Sequence, residues 1–411
     1  MKNYSRRNFF TKLIALPAGL WLTNYLELSG SASLRKQVKI TAIKAMQLDF
    51  LGDGCLIKIE TDSGLTGYGE AGVNSTIARG QIYQINRTAE LIGADPLSIQ
   101  KHFFRMTAPQ NPMRISMGVI SGIDIALWDL ASKILDEPIY KLLGGPFRDG
   151  CPMYSHTSGL KDMMDPASCK EWTEWFRKQP EGFTTFKGSA PFTIQRPWHP
   201  TVTSDELKML KQGFTNIRDA VGDSIDIALH CGGQFNTPSA IAMANILQPL
   251  NIAFIEDPIN VHYSEGWLAL KHGTGVPVLT GEKLETLREF KPFLDEQALD
   301  FIHPDISYAG GFTGVMKIAE YAAMSRIPVA LHNAGTLIRT YASAHLSMAI
   351  QNFYKSESRL GREGRMYEQM ATEPPVLRKG ILQVPDKPGL GFTISESFLK
   401  THLPKDEPWW G

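Results

Sequence analysis

Short apolar runs recur at a regular interval along the second half of the chain, and each ends at a polar residue capable of chemistry. These residues are Lys187, His230, Glu256, Glu282, Asp305, His332 and Glu357. From His230 onward, successive members of this set are separated by 26, 26, 23, 27 and 25 residues. One strand, one helix and two short loops need about that length, because eight βα units of a barrel take ~250 residues. The interval therefore predicts a parallel βα barrel whose strands each deliver one polar group to the C-terminal rim.

A doubly wound open sheet is the alternative arrangement for alternating strands and helices. Such a sheet usually carries a glycine-rich phosphate-binding turn after its first strand. The glycine-rich segment GGPFRDG, residues 144–150, follows a helical pattern instead of a strand. The barrel is therefore the better interpretation, and we assign residues 151–375 to it.

The part of the chain before the barrel has a different pattern. Alternating apolar and polar residues in VKITAIKAMQLDF and DGCLIKIETDSGLTGYGEAG predict an antiparallel hairpin, with a turn at TDSG. Helical spacing follows in MGVISGIDIALWDLASKILDEPIYKLLGG. We assign residues 38–150 to an α+β domain and residues 376–411 to a C-terminal segment that returns to that domain.

The equal numbers of basic and acidic residues limit the kinds of molecule that the chain is expected to bind. The chain of 411 residues carries 42 basic and 42 acidic residues, which argues against nucleic acid or an anionic membrane surface as its partner. None of its four cysteines lies in a CxxC pair, so neither a disulfide framework nor a zinc-finger-like site is expected. A small-molecule ligand is therefore the expected partner.

The first 33 residues resemble a twin-arginine export signal. Arg6 and Arg7 follow Ser5, and a short apolar run from Leu13 to Leu22 comes next. That run is too short to span a bilayer, and no later apolar stretch approaches the ~20 residues that a membrane helix needs. We therefore expect a periplasmic or otherwise exported protein with no membrane contact after signal removal. An uncleaved amphipathic N-terminal helix is the alternative.

Replacing Arg6 and Arg7 with lysine should retain the protein in the cytoplasm, because a twin-arginine signal depends on the arginine pair. Fractionation of cells that express either form measures this, and we expect the mature wild-type protein to begin near Ser33. Equal export of the two forms would rule out the twin-arginine interpretation.

Two glutamates at neighbouring strand ends predict a site for a hard divalent cation. Glu256 and Glu282 would lie at the same depth in the barrel, and two such acids repel each other unless a cation lies between them. Mg²⁺ prefers oxygen ligands and often keeps waters that a substrate oxygen can displace. The alternative is that each glutamate pairs with a lysine, for which Lys283 is available.

The next two strand ends predict an acid/base pair. A carboxylate from Asp305 would fix the tautomer of His332 and raise its basicity, which suits general acid/base catalysis. Lys187 is a candidate for binding a substrate carboxylate or for a second base. Glu357 is a candidate for a hydrogen bond to a developing oxyanion. A structural His–Asp pair and solvated rim charges are the alternatives.

Several motifs together resemble the mandelate racemase/muconate lactonizing branch of the enolase superfamily. They are SGIDIALWDLASKILDEPIYKLLGG, FIEDP, LTGE, PDISYAGG, ALHN and KPGLGFTISE. GFTTFK and the Asp305/His332 pair look most like the acid-sugar dehydratases of the galactonate dehydratase group. The resemblance implies a capping α+β domain on a modified (β/α)7β barrel. It also implies Mg²⁺-assisted removal of the proton α to a carboxylate.

Three positions depart from the pattern of that family. His230 stands where the resemblance implies a third metal-binding acid, so it is a candidate ligand that would favour Mn²⁺, Fe²⁺ or Zn²⁺ more than an all-oxygen site does. As a ligand, it should lose the metal as pH falls through its titration, near ~6.5 if unperturbed. Gly232 and Ser189 stand where some members carry a second base. Alternatively, His230 is a base or substrate ligand and the metal is held by Glu256, Glu282 and water, or the metal is weakly bound or absent. His199 could reach in from its loop to replace the lost base.

These residues predict a metal-dependent lyase that acts on a sugar acid or a related carboxylate. An epimerase, racemase or cycloisomerase of the same family is the first alternative. A non-catalytic sugar-acid-binding homologue is the second. We also expect a homo-oligomer.

Overall fold

The computed structural model of the protein describes residues 38–108, 115–156, 159–193, 199–360 and 365–410. The predicted export signal lies outside the described residues. So does part of the loop that follows Lys187, at residues 194–198.

The N-terminal domain is a three-stranded antiparallel sheet covered by helices. Its strands are β1 (Ile40–Met46), β2 (Cys55–Thr61) and β3 (Thr66–Ala71), which pair in that order. Its helices are α1 (Ser75–Thr88), α2 (Ile99–Thr107), α3 (Met117–Leu135) and α4 (Ile139–Leu142). We call this unit the capping domain.

Helix α3 connects the capping domain to the barrel. Most of its residues are buried, as expected for a helix that is apolar on nearly all sides and packed on two surfaces. It begins after Ser116, whose side chain accepts from the backbone N–H of Gly118, and it ends at Asp136 in the left-handed conformation. One buried side packs on β3 of the sheet.

The second domain is a closed barrel of eight parallel strands, as the interval between polar residues predicts. The strands are β4 (Cys151–His156), β5 (Thr185–Ser189), β6 (Asp226–His230), β7 (Ile252–Glu256), β8 (Val278–Thr280), β9 (Phe301–Ile302), β10 (Val329–Leu331) and β11 (Phe353–Ser358). They pair in chain order, and pairing between β11 and β4 closes the ring. In the described part of the chain, seven α-helices connect them: α5 (Pro166–Arg177), α6 (Ser204–Val221), α7 (Thr237–Leu247), α8 (Glu265–Gly273), α9 (Leu287–Asp295), α10 (Gly311–Met324) and α11 (Leu337–Ala349). The architecture is therefore a (β/α)7β barrel with an α+β cap.

The inside of the barrel is filled with apolar side chains below the rim. Tyr154, Ala228, Phe254, Leu279 and Ala330 form this buried cluster, each from a different strand. A second and larger apolar core lies between the strands and the surrounding helices. Polar side chains at the C-terminal strand ends therefore lie directly above this apolar cluster, in surroundings of low dielectric constant where charges interact strongly.

The C-terminal segment runs from the barrel back to the capping domain. It contains α12 (Arg365–Glu368), the short strands β12 (Leu377–Arg378) and β13 (Ile381–Leu382), and α13 (Glu396–Thr401). Strand β13 pairs antiparallel with β4. Further on, Glu407 accepts hydrogen bonds from the Gln47 backbone N–H at 2.7 Å and from Arg79 at 2.7 and 3.3 Å. The end of the chain thus holds two parts of the capping domain together.

Among the described residues, no helix combines the length and the apolarity that crossing a bilayer requires.

Candidate active site

The structure brings all seven predicted residues to one end of the barrel. Strand pairing aligns His230 with Glu256, and a separate bridge aligns Asp305 with His332. Ion pairs and close contacts then connect the set: Lys187 to Glu256 and Glu357, His230 to Glu256, and His332 to Glu282, Asp305 and Glu357. The regular interval therefore predicted the barrel and also which side chains lie together at this end of it.

His230, Glu256 and Glu282 form a donor set suited to a divalent cation. One ligand atom from each residue lies within 4.8 Å of the other two. His230 Nε2 lies 3.8 Å from Glu256 Oε1. Burial, and then the charge of Lys187, lower the pKa of His230 to about 4. The imidazole is therefore neutral at physiological pH and offers a lone pair, as a metal ligand must.

Glu282 reaches the donor set because the residue before it is glycine. Gly281 has a φ of +136°, a backbone conformation that other residues rarely adopt. A Cβ at this position would also lie 2.7 Å from the ring of Phe290. The turn after β8 therefore depends on Gly281, and it directs the chain so that Glu282 meets the neighbouring ligands.

Lysines also pair with both glutamates, as the alternative interpretation of the sequence expected. Lys187 donates to Glu256 Oε1 at 2.7 Å and lies 3.0 Å from Glu357 Oε1. Lys283 lies 3.1 Å from Glu282. Burial acts to lower the pKa of Lys187, but Glu256 and Glu357 raise it overall, so Lys187 stays charged. Lys187 is thus part of the carboxylate cluster.

Glu256 has an oxygen that a cation would satisfy. Its carboxyl is fully buried, and Oε2 has no hydrogen-bond partner within the described part of the chain. Burial raises the pKa of Glu256, with Lys187 opposing. A bound divalent cation would stabilise the charged form of this carboxylate, so the residues present fit a metal.

The acid/base pair has the geometry that the sequence predicts. His332 Nδ1 lies 2.6 Å from Asp305 Oδ2, and a carboxylate only accepts, so Nδ1 carries the proton. His332 Nε2 then lies 3.4 Å from Glu282 Oε2 and 3.6 Å from Glu357 Oε2. Burial acts to lower the pKa of His332, but the bond to Asp305 and the nearby carboxylates raise it to about 9. One ring nitrogen is therefore fixed, and the other faces the centre of the site.

Sequence reasoning missed His303, a histidine that lies within the cluster. His303 is fully buried, and its Nδ1 lies 2.7 Å from the carbonyl oxygen of Ala330. Its Nε2 lies 3.7 Å from Glu256 Oε2 and 3.9 Å from Glu357 Oε2. These three atoms are all without a hydrogen-bond partner among the described residues. The sequence does contain a signal for His303, because this residue lies two positions before Asp305 in the same strand-end run, LDFIHPD.

The loop histidine His199 is solvent-exposed, and no contact between it and the cluster is observed. Gly232 has a φ of +68° in the turn after β6. Position 232, where the resemblance implies a second base in some family members, is therefore part of a glycine turn in this protein.

Exchanging His230 for aspartate should shift metal preference from Mn²⁺ or Zn²⁺ toward Mg²⁺, on the order of tenfold in relative affinity. An aspartate replaces the imidazole nitrogen with an oxygen, which Mg²⁺ prefers. Titration calorimetry with each metal measures the shift. The pKa of about 4 means that protonation of His230 competes with metal only toward pH 4, well below the window near 6.5 expected for an unperturbed imidazole.

The matched control for that exchange is His199→Asp, which changes the same residue type on the exposed loop and should leave metal preference unchanged. If His230→Asp and wild type bind each metal with equal affinity, His230 is not a ligand.

Known proteins resemble the chain over both domains. Residues 40–144 match the family described as mandelate racemase / muconate lactonizing enzyme, N-terminal domain, and residues 177–398 match that described as enolase C-terminal domain-like. A D-xylonate dehydratase of Haloferax volcanii is 30% identical over 390 residues, covering 90% of each chain. A D-gluconate dehydratase of Thermoproteus tenax is 28% identical, covering 97% of this chain and 78% of the relative.

A solved structure agrees with the architecture. The mandelate racemase/muconate lactonizing enzyme-like protein from Rubrobacter xylanophilus aligns with a TM-score of 0.82 at 24% identity, covering 91% of this chain and all of that one. That likeness supports the fold, and the sequence matches support the family. The chain belongs to the mandelate racemase/muconate lactonizing enzyme family of the enolase superfamily.

Proposed function

We propose that the chain is a metal-dependent lyase that dehydrates a sugar acid or a closely related hydroxy-carboxylate. The observation that carries this proposal is the His332–Asp305 pair at 2.6 Å, with the second imidazole nitrogen directed at the carboxylates of Glu282 and Glu357. The relatives named D-xylonate dehydratase and D-gluconate dehydratase support the substrate class.

The number of available bases favours dehydration over epimerisation. An epimerase needs a base on each face of the α-carbon, whereas an elimination needs one group that removes the α-proton and protonates the departing β-hydroxyl. Lys187 is held as an ammonium group by two carboxylates, so it has no lone pair to accept a proton. Ser189 and Gly232 stand where the resemblance implies an additional base in some family members. Among these residues, His332 is the one acid/base in place. In the metal-free protein its pKa of about 9 keeps it protonated at neutral pH, and a cation held by Glu282 would lower that pKa so that His332 could also accept the α-proton.

The remaining residues bind and orient in this proposal. A divalent cation held by His230, Glu256 and Glu282 would stabilise the negative charge that develops on the substrate carboxylate. Lys187 and His332 lower the pKa of Glu357 against the effect of burial, so Glu357 is an acceptor and would bind a substrate hydroxyl. Asp305 holds the His332 ring in one orientation and one tautomer.

Screening a panel of acid sugars with the purified protein, with and without Mg²⁺ or Mn²⁺, tests the proposal. We expect at least one acid sugar to lose a single water, as measured by mass spectrometry, and only when metal is present. In D₂O, deuterium uptake without loss of water would identify the epimerase alternative instead. Saturable binding without either change would identify a non-catalytic sugar-acid-binding protein.

We also propose that the protein is exported and forms a homo-oligomer. The first statement depends on the arginine pair near the N-terminus, and the lysine exchange described above tests it. Sedimentation of the purified protein tests the second, and a monomer at micromolar concentration would contradict it.

A further inference from the structure

A continuous line of buried charged side chains connects His332 to the capping domain. His332 Nδ1 donates to Asp305 Oδ2 at 2.6 Å, and Arg339 Nη1 donates to the same oxygen at 3.1 Å. Arg339 Nη2 then lies 2.9 Å from Glu70 Oε1. The side chains of Asp305, Arg339 and Glu70 are 0, 4 and 0% exposed. The line crosses the domain boundary, because Glu70 belongs to β3 and the other three belong to the barrel.

The two carboxylates that bind Arg339 are each held by further hydrogen bonds. Glu70 accepts from the Thr336 backbone N–H at 3.0 Å and from its hydroxyl at 2.5 Å. Thr336 is the N-cap of α11, where the helix dipole favours a carboxylate. Asp305 accepts from the backbone N–H and the hydroxyl of Ser307 on its other oxygen, each at 2.7 Å. The planar guanidinium therefore bridges two carboxylates that cannot move independently.

The backbone near Arg339 leaves space for this bridge. A Cβ built on Gly335 would overlap both Arg339 Nε and Glu70 Oε1. Any residue other than glycine at this position would push the two side chains apart. The loop between β10 and α11 therefore has room for the Arg339–Glu70 pair because residue 335 has no side chain.

The bridge that Arg339 forms between Asp305 and Glu70 includes the same Asp305 oxygen that orients His332. His332 and Arg339 share one oxygen of Asp305, so the position of the arginine sets the direction of that carboxylate. Glu70 balances the charge of Arg339, which leaves the charge of Asp305 directed at the imidazole. Without Glu70, the buried arginine would rely on Asp305 alone and pull it away from His332.

We propose that Glu70 and Arg339 are positioning residues through which the capping domain sets the orientation of His332; this rests on the proposed role of His332 as the acid/base. Neither residue contacts the candidate metal ligands. The pair acts by holding Asp305, and its effect is on the chemical step rather than on substrate binding.

Glu70→Gln and Arg339→Lys test this, because each keeps similar volume and removes the two-carboxylate bridge. We expect kcat to fall on the order of 10²-fold, the cost of misplacing a catalytic group by about 1 Å, while KM changes less than about threefold. We also expect the NMR signal of the His332 Nδ1 proton, assigned with His332→Asn, to shift or broaden. That signal is read without substrate, so it tests the inference even if the proposed activity is absent.

Trp128→Phe is the matched control for a general loss of domain contact. Trp128 donates to Thr313 Oγ1 at 3.1 Å across the same domain boundary, outside the line. This variant should retain kcat and the His332 signal. If Glu70→Gln and Arg339→Lys keep both the wild-type kcat and the wild-type signal, the pair is structural only. If the variants do not fold, Thr336→Val, which removes one bond to Glu70, provides the same comparison.

Discussion

Replacing His332 with asparagine should lower kcat by at least 10²–10⁴-fold, the usual contribution of a general acid/base. Asparagine can still bond to Asp305 but cannot take up or release a proton at working pH. His332 is the only residue of the cluster whose ring nitrogen faces the site centre while its partner nitrogen is fixed by a carboxylate. Turnover of the acid sugar identified by screening measures the effect, with metal content and thermal unfolding recorded in parallel.

The control for this exchange is His272→Asn, which changes an exposed histidine at the end of α8 and should keep full activity. A His332→Asn protein that folds, binds metal and retains near-wild-type kcat would remove His332 from the mechanism.

The second large effect is on stability. Lys187→Met should reduce the free energy of unfolding by about 3–5 kcal/mol in the presence of a chelator, because it leaves buried carboxylates without their counter-ion. Glu256 and Glu357 are 0 and 4% exposed, so water cannot replace the ammonium group. Urea unfolding with EDTA measures the loss. Excess Mg²⁺ or Mn²⁺ should recover part of it, since a cation can neutralise the same oxygens.

The pH dependence of this loss has a definite sign. In the wild type, Lys187 helps to lower the pKa of Glu357 to about 2, so its stabilising effect is present above the unfolded value and is lost as pH falls toward 2. In Lys187→Met, burial would instead raise the folded pKa above the unfolded value of ~4.3. The variant should therefore lose stability relative to the wild type as pH rises from 5 to 8.

Lys355→Met is the control, because Lys355 pairs with Asp226, whose carboxylate is half exposed. Water can solvate that carboxylate, so a smaller loss with no recovery by metal is expected. Equal losses in the two variants, or a loss from Lys187→Met that is independent of pH and metal, would contradict the account of the buried cluster.

The sequence predicted the architecture because its strongest signal is local. Each strand and its terminal polar residue lie in the same short run, so periodicity places His230, Glu256 and His332 without knowledge of distant contacts. The Asp305–His332 pair followed for the same reason, since consecutive strands of a parallel barrel are neighbours.

Contacts across the ring were harder to predict. Lys187 and Glu256 lie two strands apart, but the barrel is narrow enough for a long lysine side chain to reach both Glu256 and Glu357. His303 was missed because one polar residue was assigned to each strand, whereas the chain places two at the end of β9. The bridge between Glu70 and Arg339 has no local signal at all, because its members come from different domains.

The bonds from Glu407 to Gln47 and Arg79 can form only after almost the whole chain has been synthesised. Arg79 and Glu407 are 328 residues apart in the chain. At ~5–20 residues per second, the ribosome needs roughly 15–65 s to make the second partner after the first. During that interval the capping sheet and α1 can form, because Ser75 and Arg79 of α1 bond to Gln47 and Ala45 without Glu407. A nascent chain that stalls anywhere within the barrel would therefore carry a capping domain in which Arg79 and the Gln47 backbone N–H lack the carboxylate that binds them in the finished protein.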